Sequence, residues 1–194
     1  MKTIGVLAFQ GDVREHLAAI EVAGAKAVEV RTAKELASID GLILPGGEST
    51  TISKLARIFD LFDPIKTAIA SGLPTFGTCA GLILLADRIL GGIEGQETFG
   101  GLDVTVRRNA FGHQTESFET NLAFKGIEGP DLVAAFIRAP IIEQVGPNAE
   151  ILSTLDSGAV VAVRQDTILG ISFHPEVTDE NRVHRFFIDQ MVSV

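Results

Sequence analysis

The feature that most constrains this fold is segment 77–81, Gly-Thr-Cys-Ala-Gly, which holds the chain's only cysteine, Cys79. A short apolar run, residues 73–76, precedes it, and a run that favours a helix, residues 82–86, follows it. Glycines two residues before and after Cys79 permit a sharp strand-to-helix turn, because a side chain there would clash. The pattern predicts Cys79 at the tip of that turn, where the helix N-terminus stabilises a thiolate.

The segment alone does not establish a nucleophile. A lone cysteine is more often a small buried apolar residue than a reactive one. The glycine frame makes both interpretations reasonable, and the decision depends on whether a base and an acceptor lie elsewhere in the chain.

The first 45 residues alternate between apolar runs and amphipathic segments. Residues 3–8 and 41–44 are continuous apolar runs, typical of strands buried on both faces, and residues 27–30 predict a shorter strand. Asp12 is predicted to cap a helix with an apolar face that includes Leu17 and Ile20. The order β-α-β-α-β predicts a parallel sheet with right-handed crossovers.

The second half has a different pattern. Residues 91–101 are rich in glycine, and apolar and polar residues alternate from Leu102 to Arg107. Strands are predicted at 132–137, 150–155, 159–163 and 168–173 without helices between them, and a last helix at 179–191. We therefore expect an α/β fold, with a mixed or antiparallel extension in the second half, as a single domain over residues 1–194.

Composition excludes several classes of function. The net charge is −9 and lysines and arginines form no run, so neither nucleic acid nor an anionic membrane is an expected partner. No apolar run is long enough to span a membrane, and no signal peptide is evident. A single cysteine fits a reducing compartment, so we expect a cytoplasmic protein. One cysteine and scattered histidines give no metal-ligand spacing, so neither metal nor cofactor is expected.

Two more loops with reactive groups follow predicted strands. Segment 45–51 reads Pro-Gly-Gly-Glu-Ser-Thr-Thr, in which Ser49 or Thr50 is predicted to cap the next helix. Segment 174–176 reads His-Pro-Glu. Loops at the carboxyl ends of parallel strands bind ligands in open α/β folds. Cys79, His174 and Glu176 then match the roles of nucleophile, base and orienting acceptor.

Each of these signals is weak alone, because the glycine loop could be an ordinary helix start and a lone histidine is more often structural. The remaining histidines have simpler interpretations: His16 and His184 are predicted to be solvated on amphipathic helices, and His113 to serve structure or a partner contact.

Taken together, the three loops resemble those of the class I, triad-type glutamine amidotransferases. Within that class the chain is most similar to the glutaminase subunits of pyridoxal 5′-phosphate synthase. The marks of that branch are segments 5–12 (Gly-Val-Leu-Ala-Phe-Gln-Gly-Asp), 108–112 (Arg-Asn-Ala-Phe-Gly) and 136–140 (Phe-Ile-Arg-Ala-Pro). The resemblance implies a three-layer fold, with a mostly parallel central sheet flanked by helices.

The resemblance also implies an activity. Cys79 would attack the side-chain amide of L-glutamine, His174 would transfer protons and Glu176 would orient His174. The backbone of Gly46 and Gly47 would form the oxyanion hole, and glutamine would be held by Gly46, Gly47, Glu48, Arg108, Ile137 and Arg138. No cofactor is implied. The ammonia would pass to a TIM-barrel synthase subunit, with which the chain would form a large hetero-oligomer.

Two positions depart from the family pattern. Leu82 stands where many class I enzymes have glutamine, which favours the pyridoxal phosphate branch. His113 stands where arginine is more usual. Two alternatives stay open: a cysteine hydrolase or stress protein of a related α/β fold, and a non-enzymatic regulatory module.

Overall fold

The computed structural model describes residues 1–108 and 117–192. The strands are β1 Thr3–Leu7, β2 Lys26–Val30, β3 Gly41–Leu44, β4 Thr75–Thr78, β5 Ala86–Leu90, β6 Leu102–Arg107, β7 Ser117–Leu122, β8 Leu132–Ile137, β9 Ile141–Val145, β10 Glu150–Thr154, β11 Val160–Gln165 and β12 Ile168–Ile171. The helices are α1 Val13–Val22, α2 Ala33–Leu36, α3 Ser49–Ile58, α4 Phe62–Ala70, α5 Ala80–Leu85 and α6 Asn181–Gln190, and Pro175–Val177 form a 3₁₀ helix.

Ten of the described strands form one sheet, in the order β2-β1-β3-β4-β12-β11-β9-β6-β5, with β10 paired to β11. Strands β2, β1, β3, β4 and β12 run parallel to one another. Strand β11 pairs antiparallel with β12, β10 and β9, and β7 and β8 form a separate antiparallel pair. The predicted fold class, a parallel α/β core with a mixed extension, is confirmed.

The sheet is covered on both faces. In β3, Leu42 and Leu44 pack into one apolar cluster with Phe62 of α4, whereas Ile43 packs into a second cluster with Phe187 of α6. Successive side chains of a strand point to opposite faces. This alternation explains why the strand reads as a continuous apolar run, and it produces three layers.

The predicted cap of α3 was wrong, and three strands were missed. Helix α3 begins at Ser49 and is capped by Glu48, whose carboxylate accepts from the Thr50 N–H, so neither Ser49 nor Thr50 is the cap. Strands β5, β7 and β9 were not predicted. They carry mostly exposed or half-buried residues, so their apolar pattern is weak.

The prediction that His16 and His184 are solvated was wrong. Both side chains are fully buried, on faces of α1 and α6 that pack together. His16 Nδ1 lies 2.9 Å from His184 Nε2, so each ring supplies the other with a hydrogen-bond partner. Burial of a polar group is unfavourable without a hydrogen-bond partner, so the two histidines can be buried together because each partners the other.

Among the described helices, none combines the length and the apolar composition that a membrane crossing requires.

The buried histidines predict a loss of stability in acid. Burial lowers the pKa of His184 to about 3 and that of His16 well below its usual value. The unfolded chain takes up these protons as the pH falls through about 6.5, and the folded chain does not, so their contribution is complete above that pH and declines below it. Between about pH 6.5 and about 4, the wild-type free energy of unfolding should fall more steeply than that of His184→Leu, by up to about 1.4 kcal/mol per pH unit.

Urea unfolding at a series of pH values measures these slopes. Phe187→Leu, a core change without a titratable group on the same helix, should keep the wild-type slope. Parallel curves for wild type and His184→Leu would contradict the prediction.

Candidate active site

Three loops converge at one edge of the sheet. Strand β4 lies between β3 and β12 in parallel register, with Leu44 opposite Gly77 and Ile171 opposite Thr78. The carboxyl ends of these three strands therefore lie side by side. The glycine loop follows β3, Cys79 follows β4, and His174 follows β12.

Cys79 occupies a strained turn. It has φ +48° and ψ −100° and stands directly before α5. A Cβ on Gly77 would lie 2.5 Å from the carbonyl carbon of Gly81, and a Cβ on Gly81 would lie 2.1 Å from the carbonyl oxygen of Leu44. The two glycines thus let α5 approach β3 and β4 closely enough to form the turn.

His174 and Glu176 form a buried pair beside Cys79. His174 Nδ1 lies 2.8 Å from Glu176 Oε1, and both side chains are almost inaccessible to water. His174 also interacts with the Cys79 thiol, and since its Nδ1 faces Glu176, Nε2 is the nitrogen available to the sulfur. The structure thus brings together the three side chains predicted to act as nucleophile, base and orienting acceptor.

The pKa values of His174 and Glu176 are both raised, but for different reasons. Burial raises the pKa of Glu176, although its contact with His174 opposes that shift. For His174, burial lowers the pKa, but interactions with Asp12, Cys79 and Glu176 outweigh burial and raise it. Contacts with acidic partners favour the imidazolium form. These contacts favour a proton on His174 next to the Cys79 thiol.

The sequence interpretation missed Asp12 as part of the site. It was assigned as a helix cap, but its side chain makes no capping hydrogen bond to α1. Its Oδ2 instead lies 3.3 Å from His174 Nδ1. The position of Asp12 in the sequence was the signal that could have found it. Residues 10–12 follow β1, which pairs parallel with β3, so they also lie at the carboxyl end of a parallel strand, where ligands bind in open α/β folds.

A cavity of about 280 Å³ opens onto these groups. Its lining includes most of the residues predicted to bind substrate, and its described members are Gln10, Asp12, Gly47, Glu48, Cys79, Ile137, Arg138 and His174. The carbonyl oxygen of Ile137 lies 4.0 Å from Cys79 Sγ. Gly46 lies against His174, because a Cβ there would be 2.3 Å from the imidazole Cε1.

Arg108 lies beside the cavity and does not line it. Its guanidinium donates to Glu48 Oε1 at 2.7 Å and to Gln96 Oε1 at 2.8 Å. It therefore reaches the site through Glu48, which does line the cavity. The rest of the predicted motif 108–112 and the predicted contact residue His113 lie outside the described residues.

Asp12, His174 and Glu176 are also the described residues that come closest to a metal-binding arrangement, with ligand atoms within 4.8 Å of one another. His174 directs its Nδ1 at both carboxylates. That arrangement suits an imidazole that carries a proton between two acceptors.

Comparison with known proteins shows the family to which this chain belongs. The SNO glutamine amidotransferase family matches residues 6–193, and the chain belongs to that family. A relative from Parafrankia sp. (strain EAN1pec), named pyridoxal 5′-phosphate synthase subunit PdxT, is 58% identical over 96% of this chain and 91% of its own length. The protein of the same name from Streptomyces coelicolor is 57% identical over 97% of this chain and 93% of its own length.

One solved structure agrees with this assignment, and a second shares the fold. The crystal structure of a glutamine amidotransferase superposes with a TM-score of 0.91 at 45% identity, and the match covers 98% of this chain and 99% of that one. A putative GMP synthase protein from Thermoplasma acidophilum has a TM-score of 0.65 at 17% identity over 96% and 92% of the two chains, which shows a shared fold.

Gly81→Ala should destabilise the chain strongly. The new Cβ would meet the Leu44 carbonyl oxygen at 2.1 Å, and that backbone atom is held within the sheet. We expect a loss of about 3 kcal/mol in the free energy of unfolding, measured with urea. Gly24→Ala is the control: its φ is +90° and no atom lies within 4 Å of the new Cβ, so only backbone strain of about 1 kcal/mol applies. Equal losses would contradict the close-packing argument.

Asp12→Asn should lower the pKa of His174. Asp12 is one of the groups that raise this pKa, so removal of its charge makes the imidazolium lose its proton at a lower pH. An NMR titration of the His174 ring in both proteins measures the shift. Glu15→Gln, an exposed acidic residue in the first turn of the same helix, should leave the midpoint unchanged. A midpoint that does not move in Asp12→Asn would rule out this electrostatic role.

Proposed function

We propose that this chain, as one domain over residues 1–194, is the glutaminase subunit of a pyridoxal 5′-phosphate synthase. It hydrolyses L-glutamine to L-glutamate and supplies the ammonia for vitamin B6 biosynthesis. The observation that carries the proposal is the Cys79 turn beside the buried His174–Glu176 pair, at the mouth of a cavity lined by Gly47, Glu48 and Arg138. Full-length similarity to relatives named as subunits of this synthase supports the same activity.

The first half of the reaction forms a thioester. The Cys79 thiolate attacks the amide carbon of the glutamine side chain, and the tetrahedral intermediate places negative charge on oxygen. As the carbon–nitrogen bond breaks, the His174 imidazolium gives its proton to the leaving nitrogen, and ammonia departs. The raised pKa of His174 suits this step, because the proton must be present on the ring when the thiolate attacks.

The second half of the reaction releases the product. His174, now neutral, takes a proton from water, and the resulting hydroxide attacks the thioester carbon. The carbon–sulfur bond breaks, glutamate leaves, and Cys79 and His174 regain their starting ion pair. Glu176 accepts from Nδ1 throughout, so it keeps Nε2 directed at the sulfur and stabilises the imidazolium.

Recognition of glutamine uses charges at the rim of the cavity. Glutamine carries both an ammonium and a carboxylate, and Glu48 and Arg108 offer one negative and one positive group 2.7 Å apart. Arg108 is suited to the carboxylate through its fork of N–H donors. Arg138 and the Ile137 carbonyl line the same cavity beside Cys79 and complete the proposed set with Gly46 and Gly47.

The free chain should be a weak glutaminase. Two N–H donors are needed where the oxyanion forms, and the Gly46–Gly47 backbone is the proposed source. In this structure the Gly46 carbonyl accepts from the Asp12 N–H at 3.2 Å, and the Glu48 N–H donates to Gln10 Oε1 at 2.8 Å. Both hydrogen bonds hold the glycine loop against the segment that follows β1. Docking onto a TIM-barrel synthase subunit, within a large cytoplasmic hetero-oligomer, would release the loop for catalysis.

Cys79→Ala tests the chemistry. With a synthase subunit present, glutamate release should fall at least about a thousandfold, because no other described group in the site forms a thioester. An electrophilic glutamine analogue should label the wild type at Cys79, glutamine should protect it, and Cys79→Ala should not be labelled. Labelling that glutamine does not block would favour a cysteine hydrolase of related fold instead.

Addition of a synthase subunit tests the partner. Glutamate release measured with and without it should rise strongly on addition, because docking completes the oxyanion hole. Pyridoxal phosphate formation should then accept glutamine as its nitrogen source only when this chain is present. High activity of the chain alone, unchanged by the synthase, would overturn the assigned partner and leave the glutaminase chemistry intact.

A further inference from the structure

A second row of polar side chains lies behind the triad, away from the cavity. His16 Nε2 lies 3.1 Å from Thr78 Oγ1 and 3.5 Å from Glu176 Oε1, while its Nδ1 lies 2.9 Å from His184 Nε2. All four side chains are buried. None of these contacts belongs to the reaction described above, although Glu176 takes part in both.

Four separate elements meet at His16. His16 is on α1, Thr78 ends β4 directly before Cys79, Glu176 is in the 3₁₀ helix and His184 is on α6. Phe76 of β4 packs edge-on against both imidazoles, with ring centroids 6.4 Å and 5.5 Å apart. His16 therefore connects the strand that carries the nucleophile to the loop that carries the base and its acceptor.

The contacts select one arrangement of protons. If the Nε2 of neutral His16 lacked a proton, its lone pair would face a carboxylate oxygen at 3.5 Å, which is repulsive. Nε2 is therefore the protonated nitrogen, and it donates to Thr78 Oγ1 at 3.1 Å. Glu176 Oε1 lies 3.5 Å from the same nitrogen, beside the positive end of the N–H dipole. Nδ1 must then accept, so His184 donates from its Nε2. The Nδ1 of His184 has no partner among the described residues, and a bare lone pair there costs less than a buried N–H would.

His16 acts as a neutral dipole. Burial lowers its pKa well below the usual value, and its neighbours His184 and His174 lower it further. The titratable groups around it are His184 on α6, Glu176 in the 3₁₀ helix and, one contact further, His174, Asp12 and Cys79. A neutral N–H beside Glu176 stabilises the carboxylate electrostatically and does not compete with His174 for an ion pair.

Apart from its own backbone N–H, the Glu176 carboxylate has few other restraints. Its Oε1 faces His174 and His16, and its Oε2 has no hydrogen-bond partner among the described residues. A carboxylate held mainly through one oxygen can rotate, and rotation of Glu176 would displace His174, which it orients. A small displacement of the catalytic base lowers the rate steeply. Two fully buried imidazoles are also costly to desolvate, and apolar residues would fill the same space without that cost.

We propose that His16, oriented by His184, is a positioning residue that fixes Glu176 behind His174 and couples it to the nucleophile strand through Thr78. This inference rests on the proposed glutaminase function and adds a second row of residues to it.

The test compares three substitutions of His16. In His16→Gln the amide nitrogen reaches the place of Nε2 and can still place an N–H at Thr78 and beside Glu176. In His16→Asn the shorter amide reaches only the place of Nδ1, toward His184. His16→Leu has neither group. Gln and Asn carry the same amide and differ in its reach, so their difference in kcat and in the alkylation profile tests the N–H beside Glu176. The free energy of unfolding of each variant is measured with urea, so that loss of folded protein is not counted as loss of activity.

Two readouts are used. The first is glutamate release with a synthase subunit, as kcat and KM. The second is the rate of iodoacetamide alkylation against pH, which reports the thiolate of the chain's only cysteine and needs no synthase. We expect His16→Asn and His16→Leu to lose at least about tenfold in kcat with little change in KM. Alkylation should begin at a higher pH in both, because a misplaced Glu176 weakens the thiolate–imidazolium pair. His16→Gln should stay close to wild type in both measurements.

Ser172→Ala is the control. It removes a buried polar group near the site that has no partner among the described residues, so it shows whether loss of any such group lowers kcat. It should match wild type. Equal behaviour of His16→Gln and His16→Asn, or wild-type kcat and alkylation in His16→Leu, would overturn the proposal and leave the pair as core packing. If wild type itself releases no glutamate with the synthase, the proposed function fails, and the alkylation profiles alone support or overturn the positioning role.

Discussion

The contact between Gly81 of α5 and the Leu44 carbonyl oxygen of β3 is the constraint on which the site depends. A side chain at Gly81 would lie 2.1 Å from that oxygen, so the helix can begin this close to the sheet only without one. The close start forces Cys79 into a strained conformation with positive φ at the end of β4. Such strain persists where the surrounding structure over-determines it. Here the surroundings are three parallel strands and two apolar layers.

The second constraint is electrostatic. Four titratable side chains, His174, Glu176, His16 and His184, are buried in one region between α1, α6 and the sheet. Each would be unfavourable alone, and each is tolerated because a neighbour supplies its hydrogen-bond partner. The same contacts set the protonation states: the acidic partners favour a proton on His174, whereas burial keeps His16 and His184 neutral. The site and its support thus form a single polar network inside an otherwise apolar core.

Prediction from the sequence succeeded where burial was two-sided. Strands β1, β3, β4 and β12 are buried along almost their whole length. The order of strands and helices in the first half predicted the parallel sheet, whereas β12, which was predicted as part of the mixed extension, pairs parallel with β4. Prediction failed at β5, β7 and β9, which expose much of their surface and so carry little apolar pattern. It also failed at the cap of α3, because Glu48 accepts from the Thr50 N–H in the role that serine or threonine usually has.

The sequence by itself pointed to Cys79, His174 and Glu176 as the proposed nucleophile, base and orienting acceptor. Chemistry restricts those roles to few residue types, and Cys79, His174 and Glu176 each lie in a recognisable loop after a predicted strand. It also determined the family, because several short motifs occur in one order along the chain.

Only the tertiary structure decided which other polar residues join them. Asp12 looked like a cap and His16 and His184 looked solvated, because helical spacing describes a helix face but not what packs against it. The contacts of Asp12 with His174, of His16 with Glu176 and of His16 with His184 each join residues about 160 or more positions apart, so no local pattern connects them. They exist because β1, β4 and β12 end at one edge of the sheet and α1 and α6 cover the same face.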